Sequence, residues 1–321
     1  MTIALVTLLV LVLVFYGYRA YWMNKAQPRI YTSDVACKLY RVGETGIAVR
    51  EGDPASDRTI ICFPGLLEDM RYFLALYEEE DCQLILLNNA AYHVPVEGDE
   101  VELLDWDSNP HTCGTIEYDG FHLAHVLDKL ASGKEVILHG HSRGGAVVLE
   151  AGRQFPQWTR PEGRYVRAVL EAAVLPGAKT AGPGSHPLVF PLVCLFIPIV
   201  LGLSRKHSRE QLLKQPMMRP TNALKTELCE SIYFLPERYR TCVVNIRSIW
   251  NWQRGTDAAV YDNYERIDVV IGERDDVLDN PSMIQSAETG AERNDGVSLL
   301  HTEQTNHFVS LEQPSYLRSL L

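Results

Sequence analysis

The sequence predicts an α/β protein with a mostly parallel central sheet flanked by helices. Short apolar runs at residues 58–63, 82–87, 135–139, 164–170 and 266–272 alternate with helical segments at 68–80, 117–130 and 146–153. Strands alternating with helices give a parallel sheet covered on both faces. The third of these runs ends in a glycine-rich turn, Gly140-His141-Ser142-Arg143-Gly144, and a helix follows at once. With 321 residues, 46% of them apolar, the chain can build one large domain or two small ones.

In chain order, residues 2–18 carry no charge and are long enough to span the ~30 Å hydrocarbon core of a bilayer. Tyr16, Tyr18, Tyr21 and Trp22 cluster at the far end, as an interfacial aromatic belt does. Arg19, Lys25 and Arg29 follow, with no basic residue before. A cleaved signal peptide has a basic start and a small-residue cleavage site, and neither is present. Residues 1–23 are therefore expected to be an uncleaved transmembrane anchor. Positive charge on its C-terminal side places the rest of the chain in the cytoplasm by expectation; export with the body outside is the alternative. The formal net charge of −11 offers no basic stripe for nucleic acid. It also weakly repels anionic headgroups, so contact with a membrane must come from apolar segments. Seven widely spaced cysteines show no C-x-x-C and no metal-ligand pattern, and read as reduced core residues.

Residues 35–40 and 45–50 read as a hairpin around Gly43, and 58–63 as a buried strand. A helix at 68–80 and a strand at 82–87 follow. Residues 93–115 form an acidic loop whose Glu97, Asp99, Glu100, Glu102, Asp105 and Asp107 make a solvated face. The amphipathic helix 117–130 puts His122 and His125 on one face, at a spacing compatible with a metal. No third ligand accompanies them, so they read as a packed or solvent-facing pair. Residues 176–255 break the alternation. They open with a Pro/Gly-rich stretch and continue into the apolar run 187–203, which Pro191 and Pro198 interrupt. Residues 212–218 and 222–235 look helical. The strand 266–272 resumes the pattern, and His301 ends the apolar run that starts at Val297.

The turn at Ser142 is a G-x-S-x-G between a strand and a helix, the setting of a nucleophile elbow. Held in a strained turn, the serine hydroxyl stands above the sheet. The residues two before and two after must lack side chains for the turn to close. The plainer reading is a glycine-rich helix start with an N-cap serine. A serine nucleophile needs a base, a carboxylate to orient the base, and donors for the oxyanion. Downstream stand Gly272-Glu273-Arg274-Asp275-Asp276 at a strand end and Thr305-Asn306-His307 near the C-terminus.

On these motifs the chain resembles the α/β-hydrolase superfamily over most of its length from about residue 36, apart from roughly 176–255. The resemblance implies an α/β-hydrolase core at 36–175 and 256–321 with an inserted helical cap or lid at 176–255. It implies Ser142 as nucleophile, Asp275 as acid and His307 as base. Asp276 and Glu171 are the alternative acids and His301 the alternative base; His141 has no catalytic role. The oxyanion hole would use the backbone N–H groups of Leu66 and Arg143. Many members have His-Gly before the first of these donors, where this chain has Pro64-Gly65. A second membrane span at 187–203 would separate the acid and base from the serine, so this run is expected to be an interfacial lid segment or a buried cap helix. The expected activity is that of a serine esterase, lipase-like, on a lipophilic ester, needing no metal or organic cofactor. Thioesterase, amidase and haloperoxidase chemistry share the constellation, and a non-catalytic binding protein on the same scaffold is the competing class.

Overall fold

The computed structural model describes residues 2–25, 36–77, 79–96, 100–204, 206–232 and 239–320. Val35, Arg29, Glu97, Asp99 and positions 233–235 of the expected helix lie outside these residues.

The strands are β1 (Lys38–Val42), β2 (Thr45–Arg50), β3 (Arg58–Phe63), β4 (Gln83–Leu87), β5 (Val101–Leu103), β6 (Glu135–His141), β7 (Tyr165–Glu171), β8 (Arg266–Gly272) and β9 (Val297–Thr302). They form one sheet in the order β5-β1-β2-β4-β3-β6-β7-β8-β9. From β4 to β9 every neighbouring pair is parallel, and only β2 runs antiparallel to its neighbours. The hairpin turns at Gly43, whose φ of +54° a residue with a side chain adopts only under strain. The helices are α1 (Thr2–Asn24), α2 (Arg71–Tyr77), α3 (Ile116–Lys129), α4 (Arg143–Gln154), α5 (Pro156–Thr159), α6 (Phe190–Ser204), α7 (Arg209–Leu213), α8 (Ala223–Ile232), α9 (Tyr239–Gly255), α10 (Asn280–Arg293), α11 (Val309–Glu312) and α12 (Pro314–Ser319).

Alternate residues of the central strands feed two cores. Ile61, Phe63, Val136 and Leu138 pack with α3, α4 and α10 on one face. Ile60, Cys62 and Ile137 pack with α2, α11 and α12 on the other. Strands buried on both sides are why these segments read as continuous apolar runs rather than alternating ones. The described cysteines are all free, and Cys62, Cys82, Cys194, Cys229 and Cys242 are buried.

Two local expectations need correction. The helix expected over 68–80 begins only at Arg71. Leu67 has φ +63°, and Asn88 Oδ1 and Asp69 Oδ1 take the Met70 and Arg71 N–H groups, so residues 64–70 form a built loop instead. The acidic stretch contains β5, a fully exposed edge strand added parallel to β1. His122 and His125 are buried, with the His125 ring stacked 4.2 Å from Phe121, and no cluster of potential metal ligands occurs among the described residues.

α1 is 23 residues long, about 34 Å at 1.5 Å per residue, and is long and apolar enough to cross a membrane. A signal sequence near an N-terminus meets the same description. Its C-terminal part packs on α6: Phe15 meets Phe196 edge-on at 5.2 Å, and Trp22 is buried against Gly202, where any Cβ would strike the indole. α6 runs through Pro198 without ending. Proline lacks an N–H, which leaves the Cys194 carbonyl without its helical partner. Arg19 fills the gap, donating from Nη2 to Cys194 O at 3.4 Å and from Nε to Leu195 O at 3.0 Å. On the outer side of α6, Leu192, Phe196, Val200 and Leu203 are exposed at helical spacing. The helix is 15 residues, about 22 Å, too short to span ~30 Å of hydrocarbon.

Candidate active site

Parallel strands put their C-terminal ends on one edge of the sheet, where open α/β sheets carry their sites. Ser142 follows β6 there, the 64–70 loop follows β3, Asp275 follows β8, and His307 lies five residues past β9.

Ser142 has φ +50° and ψ −116°, outside the regions a non-glycine residue favours. It occupies the N-cap position of α4 but makes no side-chain capping bond, which removes the N-cap reading of the motif. The turn is closed by backbone packing. A Cβ on Gly144 would strike Phe63 O at the end of β3, and one on Gly140 would strike Gly144 O. A third glycine outside the motif, Gly145, packs against Ala173 in the same way.

His307 Nδ1 lies 2.9 Å from Asp275 Oδ2. The other Asp275 oxygen accepts the N–H groups of Val277 (2.8 Å) and Leu278 (2.9 Å). Burial alone would raise the Asp275 pKa, but His307 and the two N–H groups outweigh it and hold the carboxyl below its ordinary value. Asp276 faces elsewhere: its Oδ2 accepts from Asn306 Nδ2 at 2.8 Å. Glu171, the other alternative acid, meets His139 Nε2 (3.0 Å), Tyr72 Oη (2.6 Å) and Ser310 Oγ (2.5 Å) rather than His307. Burial opposes its ionisation, yet His139, His141 and Ser310 bring it down to about 2. His301 is an exposed residue of β9. Among the described residues the Ser142 hydroxyl makes no hydrogen bond, to His307 or any other group. Bonds of this kind often tighten only when substrate is bound.

The N–H of Arg143 opens α4, where no intrahelical acceptor exists. That of Leu66 has no backbone partner among the described residues. The Leu66 loop is held by Asn89 Nδ2, which donates to Gly65 O at 2.8 Å, and by Glu68 Oε2, which accepts the Gly65 N–H at 2.7 Å. Arg143 itself is buried, its guanidinium 2.7 Å from Asp119 Oδ2 and 3.0 Å from Gly114 O. Sequence reasoning passed over Glu68, Asn89 and Asn306. Asn306 Oδ1 accepts the Asp276 and His307 N–H groups, and its Nδ2 reaches Pro216 O and Arg219 O. The available signal was placement: polar residues directly after apolar strands or beside a candidate base sit at the functional edge.

The fold is shared with solved structures of low sequence similarity. MenH from S. aureus matches with a TM-score of 0.61 at 15% identity, over 85% of this chain and 95% of that one. A thermophilic esterase from Thermogutta terrifontis matches with a TM-score of 0.57 at 15% identity, over 86% of this chain and 91% of that one. At such identity the likeness speaks for the fold alone. No curated protein matches the sequence. The sequence profile described as "Alpha/beta hydrolase family" matches residues 67–318, well over half of the chain. On that match the chain belongs to the alpha/beta hydrolase family and is a hydrolase.

Proposed function

We propose that the protein is a membrane-anchored serine hydrolase that cleaves a carboxylic ester with a lipophilic acyl chain through Ser142, His307 and Asp275. The observation that carries this reading is the buried His307–Asp275 hydrogen bond at the sheet edge where Ser142 stands in a strained turn. Ser142 Oγ attacks the acyl carbonyl while His307 Nε2 takes its proton, with Asp275 fixing the tautomer and steadying the imidazolium. The N–H groups of Leu66 and Arg143 hold the oxyanion. His307 then protonates the departing alkoxide. Water, deprotonated by the same nitrogen, hydrolyses the acyl-enzyme, releasing the acid and restoring Ser142. The same steps serve a thioester or an amide, so leaving-group preference is an outcome of the test. A fluorophosphonate probe should label the protein at Ser142, and turnover should be found on p-nitrophenyl esters and rise with chain length. Absence of both labelling and turnover would leave a binding protein on a hydrolase scaffold.

Residues 176–255 act as the cap in this reading, with α1 as the anchor and the body on the cytoplasmic side. The exposed apolar stripe of α6 continues the apolar surface of α1, which supports its lying in the same interface and passing lipophilic substrate to Ser142. A chain beginning at Gly17 retains Arg19 and Trp22, and so keeps α6 braced. It should leave the carbonate-resistant membrane fraction, stay active on soluble short-chain esters and still float with zwitterionic liposomes. Adding Leu192→Ser and Val200→Ser should abolish flotation. Carbonate resistance in the shortened chain would mean a second membrane-inserted segment, and indifference to liposomes would reduce α6 to an ordinary cap helix.

A further inference from the structure

His141, the residue before the nucleophile, is wholly buried with both ring nitrogens engaged. Nδ1 lies 2.7 Å from Glu68 Oε2, and Nε2 lies 2.9 Å from the His307 carbonyl oxygen. A carbonyl oxygen can only accept, and so can an ionised carboxylate. A neutral imidazole carries one N–H, so it would turn a lone pair towards one of these two acceptors. The contacts therefore require a second proton in the pair, either on the imidazole or on Glu68. Glu68 Oε2 also accepts the Gly65 N–H at 2.7 Å, and the Tyr72 ring stacks on the imidazole at 4.3 Å.

One carboxylate oxygen and one imidazole thus join three segments: the loop that presents the Leu66 N–H, the elbow, and the loop that carries His307. We infer that His141 is a positioning residue, held as an imidazolium by Glu68, that fixes the oxyanion donor and the general base relative to Ser142. This rests on the hydrolase reading above. The groups facing the ring are Glu68 from the 64–70 loop, Glu171 from the end of β7, Tyr72 from α2, and His307 and Phe308 from the loop after β9, with the His307 carbonyl on Nε2 and the His307 imidazole centroid 4.9 Å from that of His141. Burial alone would lower the His141 pKa, but the two carboxylates and the carbonyl outweigh it and raise it to about 9. Because the folded-state value is raised, the contribution is complete below the ordinary histidine range and is lost as pH rises through about 9. The clamp acts before the reaction begins. Preorganised donors need no rearrangement when charge develops on the oxyanion, and a shift of about 1 Å in such groups can cost roughly 100-fold in rate.

The test uses the full chain in detergent micelles with Glu68→Gln, His141→Phe and the double substitution. The glutamine can still accept one N–H but cannot hold an imidazolium, and the phenyl ring keeps the stack on Tyr72. Each single substitution should lower kcat on a short-chain p-nitrophenyl ester by about 10–100-fold with KM changed less than about three-fold. The double variant should be no slower than the slower single one, since the two residues act as a unit. The native alkaline limb near pH 9 should vanish in both. Histidine-selective 15N NMR of the native chain should show His141 as imidazolium at pH 7, titrating near 9, and as neutral in Glu68→Gln. A neutral His141 at pH 7 in the native chain, with the proton on Glu68, overturns the inference, as does unchanged turnover in Glu68→Gln or a loss confined to KM. Should the variants not fold, the native NMR titration still decides. A native chain without ester turnover or fluorophosphonate labelling counts against the hydrolase reading alone, because the protonation state of His141 is read without it.

Discussion

Ser142→Ala removes ester turnover, by about 10⁴–10⁶-fold, and leaves the protein folded with an unchanged melting temperature. The kinetic part follows from the role: without the hydroxyl there is no acyl-enzyme, and only oxyanion binding and positioning remain. The stability part follows from the geometry. The hydroxyl caps nothing and bonds to nothing among the described residues, so its deletion leaves no buried partner unsatisfied. Alanine keeps the Cβ and therefore the strain of a φ of +50°. Glycine does not, so Ser142→Gly should be equally inactive yet more stable by up to about 2 kcal/mol, the relieved strain less the extra backbone entropy that glycine loses on folding. Melting curves and initial rates on a p-nitrophenyl ester check both variants. A serine that can be improved on for stability only by losing activity is one whose conformation is kept for its chemistry. Native turnover in Ser142→Ala would move the nucleophile elsewhere.

The parts legible in the sequence were those encoded by short-range pattern. Apolar runs between helical segments gave the sheet, since β3, β4, β6, β7 and β8 are buried on both faces and tolerate few polar residues. The elbow was legible because its glycines stand at fixed spacing about the serine: Gly140 answers a steric demand made within the turn by Gly144 O, and Gly144 one made across the sheet by Phe63 O, so the spacing marks the turn although one of the demands is long-range. What pattern does not carry is long-range pairing. Nothing local says that Glu68 meets His141, 73 positions away, or that Arg19 caps the carbonyl freed by Pro198 on a helix 175 positions away. The length of α2 was misjudged for the same reason. Residues 68–70 have helical composition, but Asn88, beyond the next strand, holds Met70 in a loop. The edge strand β5 was invisible because its three residues are all exposed, so neither apolar continuity nor alternation marks it.

The neighbouring aspartates provide the sharpest division of roles. Asp275→Asn should lower turnover by about 10⁴-fold, while Asp276→Asn should cost less than about ten-fold. The difference does not come from distance along the chain but from what each carboxylate faces. Asp275 Oδ1 is fixed by the N–H groups of Val277 and Leu278, which only an oxygen can accept. An asparagine in its place must keep its oxygen there and turn its NH₂ towards His307 Nδ1. That nitrogen must then present a lone pair, so the imidazole carries its proton on Nε2 and cannot take one from Ser142. The substitution enforces the wrong tautomer while disturbing little else, which is why a large kinetic loss should accompany a small change in melting temperature. Asp276 instead accepts from Asn306 Nδ2, which also donates to Pro216 O and Arg219 O. Losing one of those acceptors leaves the Asp275–His307 bond untouched. Initial rates of the two variants, with 15N spectra of His307 to report its tautomer, decide the matter. If Asp276→Asn is the more damaging, or if the His307 tautomer is unchanged in Asp275→Asn, Asp275 is not the orienting acid.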